Sequence, residues 1–299
     1  MTMRERDVMA ETRERHAEAI RLPGEDGGSS LREGSVLFIG TATTLIRYGG
    51  FTLLTDPNFL HAGEHVHLGY GLTSERLTNP AMEVSDLPPL DLCVLSHMHG
   101  DHWDQVAQTR LRHDLPIVTT RHAALELRGQ GFTRPYILDT WQSTTFVKGD
   151  VQLSVTSMPG KHGPGLVQGL LPPVMGSLLE WARAGEAPRF RMYISGDTLL
   201  IDELAEIPRR YPNIDLGLFH LGGTRVMGIL VTMDGRQGVK AVRLIRPKVS
   251  IPIHYNDYTV FKSPLDDFLQ EVRRAGQKLP SEVRALAHGE TYRWRVERD

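Results

Sequence analysis

The chain has 299 residues, 40% hydrophobic and 23% charged, which is enough apolar mass for a packed core. Wholesale disorder, collagen and coiled coil are excluded. The 34 basic and 36 acidic residues leave a net charge of −2, so no global field draws the chain to nucleic acid or anionic lipid.

Residues 4–22 are heavily charged, with a weak apolar stripe (Val8, Met9, Ala17, Ile20) that predicts a surface helix. Met1 to Leu22 lacks a signal-peptide core, and no apolar run approaches a membrane span, so the expected location is the cytoplasm. Pro23 to Gly34 reads as a flexible linker. Residues 1–34 are thus expected to form an N-terminal helix and linker, and 35–299 a single domain.

Ser35–Gly40, Thr44–Tyr48 and Phe51–Thr55 predict strands, with a tight turn at Gly49-Gly50. Residues 58–90 read as irregular. Asp91–Ser96 predicts a buried strand, Asp104–Leu111 a helix, Pro116–Thr119 a strand and His122–Arg128 a helix. Strands are expected within 135–158, and a Gly/Pro-rich loop over 159–176. Then follow strand 189–195, helix 199–209, strand 214–219, helix 234–245 with Asp234 as N-cap, and strand 248–253. Helix 264–275 and strands near 283–287 and 291–296 close the chain. Mixed parallel and antiparallel strands with alternating helices suit two mixed sheets packed face to face with helices outside.

Chemistry concentrates after strand 91–96, in His97-Met98-His99-Gly100-Asp101-His102. Chance would give about 0.001 such runs at this composition. Cys93 is the only cysteine, so histidines and carboxylates must hold any metal. His162, Asp197 and His254 also follow predicted strands and complete a plausible rim. Asp56, after an early strand, reads either as an Asp-Pro turn residue or as a carboxylate orienting a ligand histidine.

In this order, Asp56, the run 97–102, His162, Asp197 and His254 resemble the metallo-β-lactamase superfamily over roughly residues 35–296. Leu45-Ile46-Arg47-Tyr48-Gly49-Gly50, Leu54-Thr55-Asp56-Pro57, Ser195-Gly196-Asp197-Thr198 and Ile214-Asp215-Leu216 are similar to one of its groups. That group contains the L-ascorbate-6-phosphate lactonases and N-acyl-phosphatidylethanolamine-hydrolysing phospholipase D. The chain departs from it at Phe219-His220-Leu221-Gly222-Gly223, where a proline is usual, and at Thr232-Met233-Asp234-Gly235, where a histidine is usual.

The resemblance implies an α/β fold, a four-layer αβ/βα sandwich of two mixed β-sheets with outer helices. It implies His97, His99 and His162 on one ion, Asp101, His102 and His254 on a second, and Asp197 bridging. The implied reaction is zinc-dependent hydrolysis of an ester, lactone or phosphodiester by a metal-bridging hydroxide, with Asp101 orienting it. Two Zn²⁺ are expected, with Mn²⁺ or Fe²⁺ as alternatives. Redox di-iron relatives carry a carboxylate where this chain has His99, which favours zinc.

The alternatives are a non-catalytic binding protein on the same fold and a phosphotriester or β-lactam hydrolase. His220 is a candidate to polarise substrate or protonate a leaving group, against a satisfied core histidine. Arg225 reads as a surface arginine, His61, His65 and His67 as loop residues, and His288 as a turn residue. The expected partner is a small molecule; apolar residues of the two long loops read either as a mouth for an apolar group on it or as side chains that bury against the body and each other. These are Phe59, Leu60, Val66, Leu68 and Tyr70, then Leu166, Val167, Leu170, Leu171, Val174 and Met175. No nucleic-acid partner is expected, and a homo-oligomer is compatible with the sequence.

Overall fold

Thr43–Tyr48 and Phe51–Thr55 pair antiparallel across Gly49-Gly50, whose φ values of 59° and 80° suit residues without a Cβ. This hairpin seeds one of two large sheets in the computed structural model. The structure describes residues 19–23, 29–68, 73–165, 169, 171–226 and 228–297.

In chain order the strands are β1 (Ile20–Arg21), β2 (Glu33–Gly40), β3 (Thr43–Tyr48), β4 (Phe51–Thr55), β5 (His65–His67), β6 (Thr73–Glu75), β7 (Leu92–Val94), β8 (Ile117–Thr119) and β9 (Pro135–Ile137). They continue as β10 (Ser143–Lys148), β11 (Val151–Met158), β12 (Gly176–Arg183), β13 (Phe190–Ile194), β14 (Leu216–His220) and β15 (Arg225–Val226). The last are β16 (Ile229–Leu230), β17 (Val249–Ile253), β18 (Glu282–Val283) and β19 (Thr291–Arg295). The helices are α1 (Gln105–Arg110), α2 (Arg121–Gly129), α3 (Glu206–Arg210), α4 (Gly235–Ile245) and α5 (Leu265–Ala275).

One sheet runs β1-β10-β11-β12-β13-β14-β17-β18 and the other β19-β2-β3-β4-β7-β8-β9. Each has an antiparallel stretch and a parallel stretch, and in the first sheet β1 also joins β10 in parallel. The parallel runs are β13, β14, β17 and β18 in the first sheet, and β4, β7, β8 and β9 in the second. Between the sheets lies the main core, where Phe38, Ile46 and Leu53 meet Leu179, Met192 and Leu218. Burying each such side chain contributes about 1.5–3 kcal/mol. On the outer face of the first sheet, Leu178 and Phe219 pack on Val242, Ile245 and Phe268 of α4 and α5. On the outer face of the second, Leu54 and Cys93 pack on Ala107, Ala123 and Leu127 of α1 and α2. The result is the four-layer αβ/βα sandwich.

The expected helix over 4–22 falls mainly on residues 4–18, outside the described residues, and its end is not helical. Ile20–Arg21 instead pairs parallel with Phe146 and Val147 on the sheet edge. Within the expected linker, residues 24–28 lie outside the described residues, but Leu31 is buried and its carbonyl accepts from Tyr48 Oη at 2.6 Å. Residues 58–90, read as irregular, contain the β5–β6 hairpin. Helix 199–209 reduces to a 3₁₀ turn at Asp202–Ala205 followed by α3. The strand near 283–287 shrinks to Glu282–Val283. Asp234 caps α4 as expected, its carboxylate accepting from Gln237 N at 2.9 Å.

Candidate metal centre

Parallel strands from both sheets end on one rim, and the chemistry-bearing residues sit just past those ends. Asp56 follows β4, His97 follows β7 and Ser96, Asp197 follows β13, and His254 follows β17. The turns are tight: Asp56 and His254 have φ of 36° and 62°. Such backbone persists only where its surroundings hold it. Gly196 also turns left-handed (φ 62°), and a Cβ there would lie 2.5 Å from Met175 O. Only glycine lets the chain pass so closely and present Asp197.

The structure brings all seven sequence candidates together in two groups. Ligand atoms of His97, His99 and His162 lie within 4.8 Å of one another, and so do those of Asp101, His102, Asp197 and His254. His97 Nε2 and His162 Nε2 lie 2.9 and 3.2 Å from His99 Nδ1. In the second group, His254 Nε2 is 3.1 Å from His102 Nε2 and 3.2 Å from Asp101 Oδ2, and His102 Nε2 is 3.4 Å from Asp197 Oδ1. All are buried except His99, which is partly exposed and marks the side open to solvent.

Three histidines have their other ring nitrogen engaged away from the groups. His162 Nδ1 donates to Val231 O at 2.9 Å, His97 Nδ1 meets Ser96 Oγ at 3.0 Å, and His102 Nδ1 lies 3.2 Å from Asp56 Oδ2. That pattern fixes the ring orientation and turns each Nε2 inward, as metal-holding histidines require.

Burial, then the charge on His162, pushes His99 down to about 3. Burial and neighbouring histidine charge hold His97 well below its ordinary value, and burial lowers His162. Burial thus favours the neutral rings, which carry lone pairs. Burial would raise the carboxyls, yet the charge on His102 helps draw Asp56 and Asp101 down to about 2, and His254 and His102 hold Asp197 well below the usual range. His102 is the exception: burial opposes its charge, but Asp197, Asp101 and Asp56 raise it well above the ordinary imidazole value. Three buried carboxylates thus converge on His102, and buried negative charge on that scale demands a compensating cation.

The residues fit divalent ions by a further observation. Asp101 Oδ1, Asp197 Oδ1 and His254 Nδ1 are buried without hydrogen-bond partners. His254 Nδ1 and Asp197 Oδ1 are 3.4 Å apart, but they are not aligned to bond. Buried polar atoms rarely stay unpaired, and here the three lie among histidine nitrogens with inward lone pairs.

A model of the β-lactamase superfamily domain matches residues 53–255, which spans the whole rim from the Asp56 strand to Tyr255. The chain belongs to the β-lactamase superfamily. With its group of three histidines beside a group of two histidines and two aspartates, it is a metal-dependent hydrolase of that superfamily. It is 28% identical to a metal-dependent hydrolase of Methanopyrus kandleri, over 86% of this chain and 98% of that protein. It is 27% identical to N-acyl-phosphatidylethanolamine-hydrolysing phospholipase D 1 of Caenorhabditis elegans, over 74% of this chain and 63% of that protein. The isothiocyanate hydrolase from Delia radicum gut bacteria shares the fold, with a TM-score of 0.71 and 20% identity over 88% of this chain and 99% of that one.

The other residues singled out in this β-lactamase superfamily chain take different places. His220 is fully buried; its Nε2 lies 3.2 Å from Asp56 Oδ2 and its Nδ1 3.2 Å from Ser195 Oγ. Both of its ring nitrogens are thus engaged beneath the rim. Asp56 bonds three ways, to His102, His220 and Ser96 N at 2.7 Å, which is more than a turn residue needs.

Arg225 is exposed and donates to Gly228 O. His65 and His67 point outward from β5, His61 bonds Glu83, and His288 lies 3.2 Å from Asp257. Phe59, Leu60, Val66 and Leu68 are buried among residues such as Tyr258, Phe261 and Trp103. These four fasten the loop to the body, as the burial reading of the loop has it. Leu171 and Met175 are likewise buried and Val174 partly so, while Tyr70, Leu166, Val167 and Leu170 lie outside the described residues.

Sequence reasoning missed Thr232, whose Oγ1 donates to Asp197 Oδ2 at 2.8 Å. No spacing marks a lone threonine. Among the described residues, no helix is long and apolar enough to cross a membrane.

Proposed function

We propose that this chain hydrolyses an ester, lactone or phosphodiester with two divalent ions, most suitably zinc, with manganese and iron as alternatives. His97, His99 and His162 would hold one ion, Asp101, His102 and His254 the other, and Asp197 both. The observation that carries this reading is the set of unpartnered buried atoms on Asp101, Asp197 and His254 among seven converging ligand side chains. Ions held there would supply Lewis acidity and an acidified water for attack. The histidine and carboxylate donor set suits zinc, iron or manganese.

The chain's own groups divide the remaining work. Asp101 offers a free Oδ1 to orient a water or take its proton. Asp56 keeps Nδ1 of His102 engaged, and His220 steadies Asp56 from the far side. We assign His220 to positioning. The partly exposed His99 marks the approach for a small-molecule substrate. The phosphodiester option draws support from the phospholipase D relative, and the lone buried Cys93 suits the reducing cytoplasm.

The test is elemental analysis of metal-reconstituted protein together with turnover of lactones, phosphodiesters, phosphotriesters and β-lactams. About two ions per chain and turnover of a lactone, ester or phosphodiester are expected. A stoichiometry near zero overturns the metal reading. Two ions with no turnover of any substrate favours a binding protein.

A further inference from the structure

The peptide that joins Gly100 to Asp101 is gripped by one amide. Asn58 Nδ2 donates to Gly100 O at 2.9 Å. Asn58 is fully buried, and its Oδ1 gathers two donors: Tyr258 Oη at 3.0 Å and Arg76 Nη1. Arg76 is fully buried as well. Its Nε donates to Thr78 O at 2.9 Å, its guanidinium lies 5.2 Å from the Tyr258 ring centroid, and its Nη2 has no partner. A buried guanidinium is costly, and a core that served packing alone would use an aliphatic side chain.

A second arm leads to His254. Asp257 Oδ2 accepts from Thr41 N at 2.5 Å, and Thr41 O accepts from His254 N at 2.5 Å. Thr78 joins the arms, because its carbonyl takes Arg76 while its hydroxyl donates to Asp257 Oδ1 at 2.5 Å. Thr41, His254 and Asn256 all have left-handed backbone, with φ of 53°, 62° and 60°. The network therefore ends on Asp101 and His254, at conformations that need outside support. The histidines of the other group are supported elsewhere: His97 by Ser96 and His162 by Val231.

We propose that Asn58, Arg76 and Asp257 form a positioning brace for the Asp101–His102–His254 group alone, setting the affinity of that ion independently of the one at His97–His99–His162. The inference rests on the two-ion reading above.

The test compares the full-length protein with Asn58→Asp and Arg76→Lys. Each is loaded with zinc, titrated with a chelator, and counted for ions per chain at every step. Thermal melting of the metal-free proteins runs in parallel. Asn58→Asp keeps an acceptor for Arg76 and Tyr258 but puts an oxygen against Gly100 O. Arg76→Lys keeps the charge and loses the fork.

The expected result is that one ion leaves at about 10–100-fold lower chelator concentration while the other leaves as in the wild type. At sub-saturating zinc kcat falls with KM little changed, and excess zinc restores kcat. Two ions in the wild type that shift in unison in the variants, or not at all, overturn the brace alone. Loss of cooperative melting in both variants also overturns it. Fewer than two ions in the wild type overturns the two-ion reading, and the brace with it.

Discussion

Thr232 Oγ1 donates to Asp197 Oδ2 at 2.8 Å, so the two oxygens of this buried carboxylate differ: one is held, and Oδ1 has no hydrogen-bond partner. The hydroxyl fixes which way the free oxygen faces. Thr232→Val keeps the shape and removes the donor. Metal affinity is expected to fall about 10–100-fold. Competition with a chromogenic chelator measures this, and an unchanged affinity would show that the hydroxyl only fills space.

Asp197 acts on both groups, since its charge bears on His97, His99 and His162 as well as on His102. Asp197→Ala is expected to lower occupancy of both ions and abolish turnover together. Its fold should survive, because the residue lies past a strand end and not in the core. Elemental analysis beside a melting curve separates these effects. Full retention of both ions would contradict the shared role.

Gly196→Ala tests the turn that delivers Asp197. The positive φ alone costs an alanine about 1–2 kcal/mol, and the added methyl would press on Met175 O at 2.5 Å. The melting temperature of the metal-free protein should drop, and metal affinity should drop with it. A variant as stable as the parent would show that the turn can relax.

Asp257 provides a pH-dependent prediction. Burial would raise its carboxyl, but the hydrogen bond from His288, the charges on His288 and Arg76 and the Thr78 hydroxyl hold it below the ordinary value. Tyr255 also packs within reach of its charge. A lowered native pKa means the ionised group stabilises the fold above the unfolded carboxylate pKa of about 3.9, and that the contribution fades as pH falls through the native value. Asp257→Asn lacks the contribution at every pH. In metal-free protein, the gap in melting temperature between parent and variant should be widest near neutrality and close below about pH 4. A gap that stays constant into acid would refute the ionised role.

The strand-end histidines and aspartates were legible because a metal site needs several ligand types in few residues, and the 97–102 run supplies them at once. The hairpin at Gly49-Gly50 and the cap at Asp234 were legible for a similar reason: local chemistry decides them. β12 was not. Its Leu-Leu-Glu-Trp-Ala-Arg stretch has helix-forming content, yet it lies inside the eight-stranded sheet, where pairing with β11 and β13 overrides propensity. Asn58, Arg76 and Thr232 carried no signal either. Each is a single polar residue whose role depends on partners far along the chain, such as Tyr258, 200 positions from Asn58. The apolar side chains of loop 58–90 left two readings open, because only tertiary packing shows whether they line a mouth or a floor.

The edges of the two sheets bear on how the protein behaves at high concentration. Among the described residues, the outermost strands are β1 and β18 of two residues each, β9 of three residues with Pro135 among them, and β19 of five with exposed Arg293 and Arg295. An open edge is a template on which a second molecule can add a strand, and short, proline-bearing or arginine-studded edges blunt it. Ile20–Arg21 thus shields the six-residue β10 behind it. A shortened protein beginning at Pro23 would keep its metal-holding side chains but offer β10 to its neighbours, and its failing would be self-association and not lost chemistry.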